Sequence, residues 1–178
     1  MSNTIKLTIL FGIVLFIGCG QMNNGQPTTE AEIPPAFNSD QKAVQQVILN
    51  LFKGMKLGDS TLVHKSFRDD VKLFTIFSRN DSTQFRNDGG LQKFLEAVGS
   101  PHETDWNEWT WGYKINIDGP LAQAWCDYAF YIGDKFSHCG VDAFELVKTD
   151  GEWKIFALAD TRRKKNCSIP ENVEIFKP

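Results

Sequence analysis

Between residues 105 and 163 apolar and polar side chains alternate in long runs, broken at Asp118-Gly119, Gly133-Asp134-Lys135 and Asp150-Gly151. Alternation of this kind, interrupted by Asp-Gly pairs, is the sequence signature of β-hairpins. It predicts four antiparallel strands in a meander. A two-residue turn at Asp118-Gly119 pairs Ile117 with Pro120, Ile115 with Ala122, Tyr113 with Ala124, Trp111 with Cys126 and Trp109 with Tyr128. A two-residue turn at Asp150-Gly151 pairs Thr149 with Glu152, Leu146 with Ile155, Phe144 with Ala157, Asp142 with Ala159 and His138 with Arg163. A three-residue middle loop sets Phe130 opposite His138, Tyr128 opposite Gly140 and Cys126 opposite Asp142. Paired residues share a face of a sheet. One face therefore gathers Trp109, Trp111, Tyr113, Tyr128, Phe130, His138, Asp142 and Phe144, and it is expected to line a core or cavity. The other carries Lys114, Asn116, Trp125, Asp127, Tyr131, Cys139, Glu145 and Lys154. Trp125 and Tyr131 on that polar face mark a partner surface.

The preceding segment has a helical period. Val44, Val47, Ile48, Leu51, Phe52 and Met55 follow the spacing of one buried helix face, opened by Ser39 or Asp40 as cap and closed by Gly58. Asp59 can cap a second, shorter helix to about Phe67. Residues 71–77 (VKLFTIF) read as a strand, with a turn at Arg79–Ser82 and a short return strand over 83–86. Asp88 or Gly89-Gly90 opens a third helix bearing Leu91, Phe94, Leu95 and Val98, and Gly99-Ser100-Pro101 stops it.

At the N-terminus, residues 7–17 (LTILFGIVLFI) form an apolar run after Lys6. The run is too short to span a bilayer and suits the core of an export signal. It ends in Leu-Phe-Ile-Gly-Cys, which resembles the bacterial lipobox, with Cys19 as the lipidated residue. Residues 1–18 are then a signal peptide and 19–38, rich in Gly, Pro, Asn and Thr, a flexible tether. A domain over 39–167 and a tail over 168–178 complete the chain. The expected location is the cell envelope, lipid-anchored, at the outer membrane facing the periplasm.

Composition narrows the function. The 178-residue chain carries a formal net charge of −3 and 12% aromatic residues. It has no basic stripe, which argues against a nucleic-acid partner, and no cysteine or histidine spacing of a metal site. No cofactor is expected. Cys126 falls on the inner face as a small buried hydrophobe. Cys139 and Cys167 could close a disulfide in an oxidising compartment, though spacing alone does not pair them.

The order of helix, helix, hairpin, helix and four long strands, together with WGYKINIDGPLAQAWCDYAFYIGDKFSHCGVDAFELVKTDGEWKIFALADTRR, resembles the nuclear-transport-factor-2-like superfamily. The likeness is to bacterial members described as lumazine-binding or polyketide-cyclase-like. AVQQVILNLFKGMKLGDSTLV followed by FSHCG and DTRR looks like a subgroup of short bacterial lipoproteins. The resemblance covers about residues 40–167 and implies an α+β fold. In that fold a curved, mainly antiparallel sheet wraps three N-terminal helices into a cone, with a cavity at one end and dimerisation through the outer face. Scaffold alone does not set function. Three expectations follow. The cone binds a small, partly aromatic molecule, with Trp109, Trp111, Tyr113, Tyr128, His138, Asp142 and Arg163 as ligand residues. In the alternative, a dehydratase or isomerase uses His138 as base, Asp142 as its orienting partner and Tyr128 as electrophile. In the third, the protein is a structural dimer working through Trp125 and Tyr131. Alternation along the last strand turns Thr161 and Arg163 inward at the rim, where Arg163 could meet an anionic group, and turns Asp160 and Arg162 out. His138 paired with Asp142 or Arg163 is equally a structural arrangement.

Overall fold

The structure is a computed structural model and describes residues 36–87, 89–171 and 173. The segment expected to be a signal peptide, Cys19 and nearly all of the expected tether lie outside the described residues. Helix α1 (Ser39–Leu57) begins at Asn38, whose side chain accepts from the Gln41 backbone while Gln41 reaches back to the Asn38 N–H. Asn38, not Ser39 or Asp40, is thus the cap, because only it sits one residue before the helical turn. Gly58 ends the helix in the left-handed conformation. Helices α2 (Ser60–Ser66, capped by Asp59) and α3 (Gly90–Gly99) flank the hairpin of β1 (Phe67–Arg79) and β2 (Ser82–Asn87). Then come β3 (Trp106–Asp118), β4 (Leu121–Ile132), β5 (Lys135–Thr149) and β6 (Glu152–Arg162).

The six strands form one mixed sheet in the order β2-β1-β6-β5-β4-β3. All neighbours are antiparallel except β1 and β6, which run parallel. The core lies between one sheet face and the helices: Val44, Ile48, Leu51 and Phe52 of α1 and Val63 of α2 meet Ile115, Ala122, Ala124, Phe144, Leu146 and Ile155. Gln41 also ties α1 to β3 by donating to the Ile115 carbonyl at 2.9 Å.

Three registers depart from simple counting. The first hairpin turns at Gly119-Pro120, so that Asp118 faces Leu121 and Ile115 faces Ala124. Gly119 takes a positive φ of 55°, and Pro120, which has no N–H for a ladder, is better spent in the turn than paired with Ile117. Farther along β3, Trp111 faces Asp127 but Lys114 faces Trp125, so Gly112 and Tyr113 bulge opposite Cys126. Gly112 has φ 64°, the left-handed conformation of a glycine-led bulge. The bulge reverses the facing of every residue before it. Trp109 and Trp111, expected inside, point to the outer face, and Glu108 and Thr110 point in.

The middle turn is the two-residue Gly133-Asp134, with Ile132 facing Lys135 and an extra residue at Ser137. From Phe130 opposite His138 onward, the register is the expected one. In the last hairpin Leu146 faces Ile155 as counted, but Glu145 faces Ala157, so a bulge at Phe156 turns β6 over. Asp142 faces Asp160, and Cys139, not His138, faces Arg163. Asp160 and Arg162 are therefore the inward residues, and Thr161 and Arg163 point outward, the reverse of strict alternation.

The outer face carries Trp125, which is 48% exposed, and Tyr131, whose ring stacks on Trp109 at 4.3 Å. Cys139, also on this face, is bonded to Cys167. Ala129 and Cys139 are buried there although they point away from the helices, because Trp109 flanks Ala129 and the segment after β6 is tied down over Cys139.

Candidate ligand-binding site

A cavity of about 310 Å³ opens between the inner sheet face, α1 and α3. Leu51, Phe52 and Met55 of α1, Phe94 and Ala97 of α3, and Trp106, Phe130 and Leu158 of the sheet give it apolar walls. Its polar end is formed by Glu108, Tyr128, His138, Asp160 and Arg162. The Gly112 bulge delivers Glu108 and the Phe156 bulge delivers Asp160 and Arg162. Neither set is visible to a count that assumes unbroken strands.

Asp160 is held from three sides. Thr75 donates to it at 2.6 Å, Tyr128 at 3.1 Å and the Arg162 Nε at 2.7 Å. The Tyr128 hydroxyl also reaches the Thr161 carbonyl at 2.9 Å. Burial and the carboxylate beside it push the Tyr128 phenol well above the usual tyrosine range, so this group stays a donor. Gly140 makes the arrangement possible. A Cβ there would collide with the Thr161 carbonyl and with the Tyr128 ring, so only glycine lets β6 and the ring approach so closely.

Glu108 and Asp142 form a second polar unit. Each carboxyl bears on the ionisation of the other. Asp142 is fully enclosed, and no donor among the described residues meets its Oδ2. Two neighbouring carboxyls in a buried setting disfavour double ionisation, so the pair tends to retain a proton. Burial raises both groups: Asp142 is held far above the carboxylate range, and Glu108, half-buried at the cavity wall, is pushed up to about 8. Asp142 is the interior donor, and Glu108 is the member that meets the cavity. Nearby, Tyr113 shares a hydrogen bond of 2.7 Å with Thr110, and the buried Cys126 thiol is raised by the same surroundings.

His138 lines the cavity edge-on to Tyr128, with ring centroids 5.7 Å apart. Its Nδ1 lies 3.0 Å from the Ser137 hydroxyl. Burial, aided by the Arg162 charge, pulls it down to about 4, so it is neutral at physiological pH. The carboxylate bearing on His138 is Asp160, while Asp142 is engaged with Glu108. Of the anticipated ligand residues, Tyr128 and His138 line this cavity, and Tyr113 and Asp142 lie on its face of the sheet. Trp109, Trp111 and Arg163 do not belong to it, for the register reasons given above. Counting missed Glu108, Asp160, Arg162 and Trp106. The one available signal was Gly112, an isolated glycine inside a strand pattern, which marks a bulge. Among the described residues, no cluster of three or more His, Cys, Asp or Glu side chains is disposed to hold a metal ion.

Comparison with known proteins agrees with this architecture. A model of the family described as "Putative lumazine-binding" matches residues 39–158. The chain is similar to a nuclear-transport-factor-2-like protein of unknown function from Shewanella baltica OS155. The identity is 20% and the TM-score 0.54, over 72% of this chain and 99% of that one. A protein of unknown function from Mycobacterium tuberculosis matches at 15% identity and TM-score 0.58, over 76% and 79% of the two chains. A "Putative Scytalone Dehydratase" from Novosphingobium aromaticivorans DSM 12444 matches at 12% identity and TM-score 0.55, over 70% and 85%. At these identities the likeness is one of fold. No curated protein matches the chain in sequence.

Proposed function

The chain belongs to the family described as "Putative lumazine-binding", on a nuclear-transport-factor-2-like fold, and from that premise we propose that it is an exported, lipid-anchored protein whose cavity takes up a small, partly aromatic ligand. The observation that carries the reading is the 310 Å³ cavity itself, a volume at the lower end of ordinary small-molecule sites. Flat side chains, Trp106, Phe130 and Phe52, wall it for an aromatic body. At neutral pH its polar end holds a neutral His138 and a largely protonated Glu108, suited to hydrogen bonds with carbonyl or ring-nitrogen groups. The lipid anchor rests on Gly18-Cys19 after the apolar run.

The uncharged fluorophore N-phenyl-1-naphthylamine tests the cavity. One molecule is expected to bind per chain, and Ala97→Trp, which fills the space from α3, is expected to abolish binding in a still-folded protein. Undiminished binding in that variant would sink the reading. Fractionation of cells expressing Cys19→Ser checks the anchor, since the variant should leave the membrane fraction.

One observation favours a second reading. Glu108 combines a raised pKa, a proton-sharing partner and an open side toward the cavity, the attributes of a general acid or base near neutral pH. In an isomerase- or dehydratase-type reaction Glu108 would move the proton, while the Tyr128 hydroxyl, which donates to Asp160 and the Thr161 carbonyl, would hold Asp160 in place.

A further inference from the structure

A second cavity, of about 320 Å³, lies on the other side of Asp160 and Arg162. The two cavities share Phe94, Ala97, Leu158, Asp160 and Arg162, so they adjoin along these side chains. Their chemistry differs. The first is apolar with carboxyl groups at its end. The second is bounded by β1, β2 and the first turn of α3, which bring Arg86 and Lys93 to it. Asp160 is the single acid among the described residues that line this second chamber, and it is already engaged by Thr75, Tyr128 and Arg162. Arg86 is steadied over the Phe77 ring, 5.4 Å from its centroid. Lys93 makes no ion pair among the described residues, and its alkyl chain lies back over Gly89.

We propose that the ligand is an amphiphilic anion that spans both chambers. Its apolar, partly aromatic body fills the first, and its oxyanion (carboxylate, phosphate or sulfonate) sits in the second against Lys93 and Arg86. The assignment rests on the reading of the first chamber as a ligand site and adds the charge and length of what occupies it. The one full cation among the described residues lining the first chamber is Arg162, and it is engaged by Asp160. Displaced across Leu158 and Ala97, an anionic group meets two cations, one of them a planar guanidinium suited to oxyanion geometry. Both cations are solvent-exposed, so each contributes modestly, and salt screens the effect.

Two probes of one shape separate the contributions in the full-length protein: 1-anilinonaphthalene-8-sulfonate and its uncharged parent, N-phenyl-1-naphthylamine. The two should compete for a single site. Lys93→Gln and Arg86→Gln should each weaken the sulfonate about three- to fivefold and leave the neutral probe unchanged. High salt should erase the difference, and Lys114→Gln on the outer face should do nothing. Equal losses for both probes, no loss for either, or sulfonate binding that does not compete would overturn the assignment while neutral-probe binding leaves the first chamber's role standing. Failure of both probes to bind would overturn the two together.

Discussion

Glu108 and Asp142 hold their protons more tightly in the folded chain than in the unfolded one. From the ordinary glutamate value of 4.5 up to about 8 for Glu108, the folded state binds more protons, and stability falls as pH rises through that window. His138 acts in the opposite sense. Its value drops from 6.5 to about 4, so the unfolded chain is protonated first, and the stability this group contributes is lost as pH falls from 6.5 to about 4. Below pH 6.5 the two effects oppose each other. Between 6.5 and 8 the carboxyl pair acts alone of these groups. The melting temperature should therefore decline from pH 6.5 to 8, and Glu108→Gln should flatten that slope, as differential scanning fluorimetry across the range would show. If Glu108 also does acid–base chemistry, the same substitution should remove any turnover of enolisable carbonyl compounds without removing probe binding. A slope unchanged by the substitution would mean that the pair is not the proton-binding unit. Tyr128 and His138 were legible as inward residues because no bulge intervenes between their hydrogen-bonded positions on β4 and β5. Their partners were not, because pairing across strands is decided by register and not by residue type.

At the scale of elements, hydrophobic period and turn residues located the three helices and the hairpin-joined strand pairs, since both are local properties written every two to four residues. The bulges are another matter. Gly112 and Phe156 each add one residue to a strand, and each exchanges the faces of the residues beyond it. Glycine in a strand gave warning of the first; Phe156 resembles any other strand residue and gave none. The Gly112 bulge should be sensitive to substitution. Its φ of 64° is costly for a β-branched residue, and a Cβ would stand 3.1 Å from the Asp127 carboxylate. Gly112→Val should cost about 1–3 kcal/mol in urea unfolding. It should also weaken the neutral probe, because relaxing the bulge shifts Glu108 from the cavity. A stable variant with normal binding would show that the bulge does not position the site.

For the whole molecule, the order of elements carried the resemblance to a known scaffold, and the parallel pairing of β1 with β6 completes one six-stranded sheet. What could not be read from the order is how the chain ends. Cys139 and Cys167 are separated by 28 residues, and closing a loop of that size restricts the unfolded chain by about 3.5 kcal/mol. Cys167→Ser should lose stability of that order in denaturation under oxidising conditions, with no difference from the parent protein once a reductant is present. The same bond makes the molecule's surface a record of where it matured. In a reducing compartment the thiols stay apart, and Cys139 loses the cover that the segment after β6 supplies. Chains folded there would present a stickier sheet face and self-associate, so that aggregation state reports the redox history of a preparation before any ligand is added.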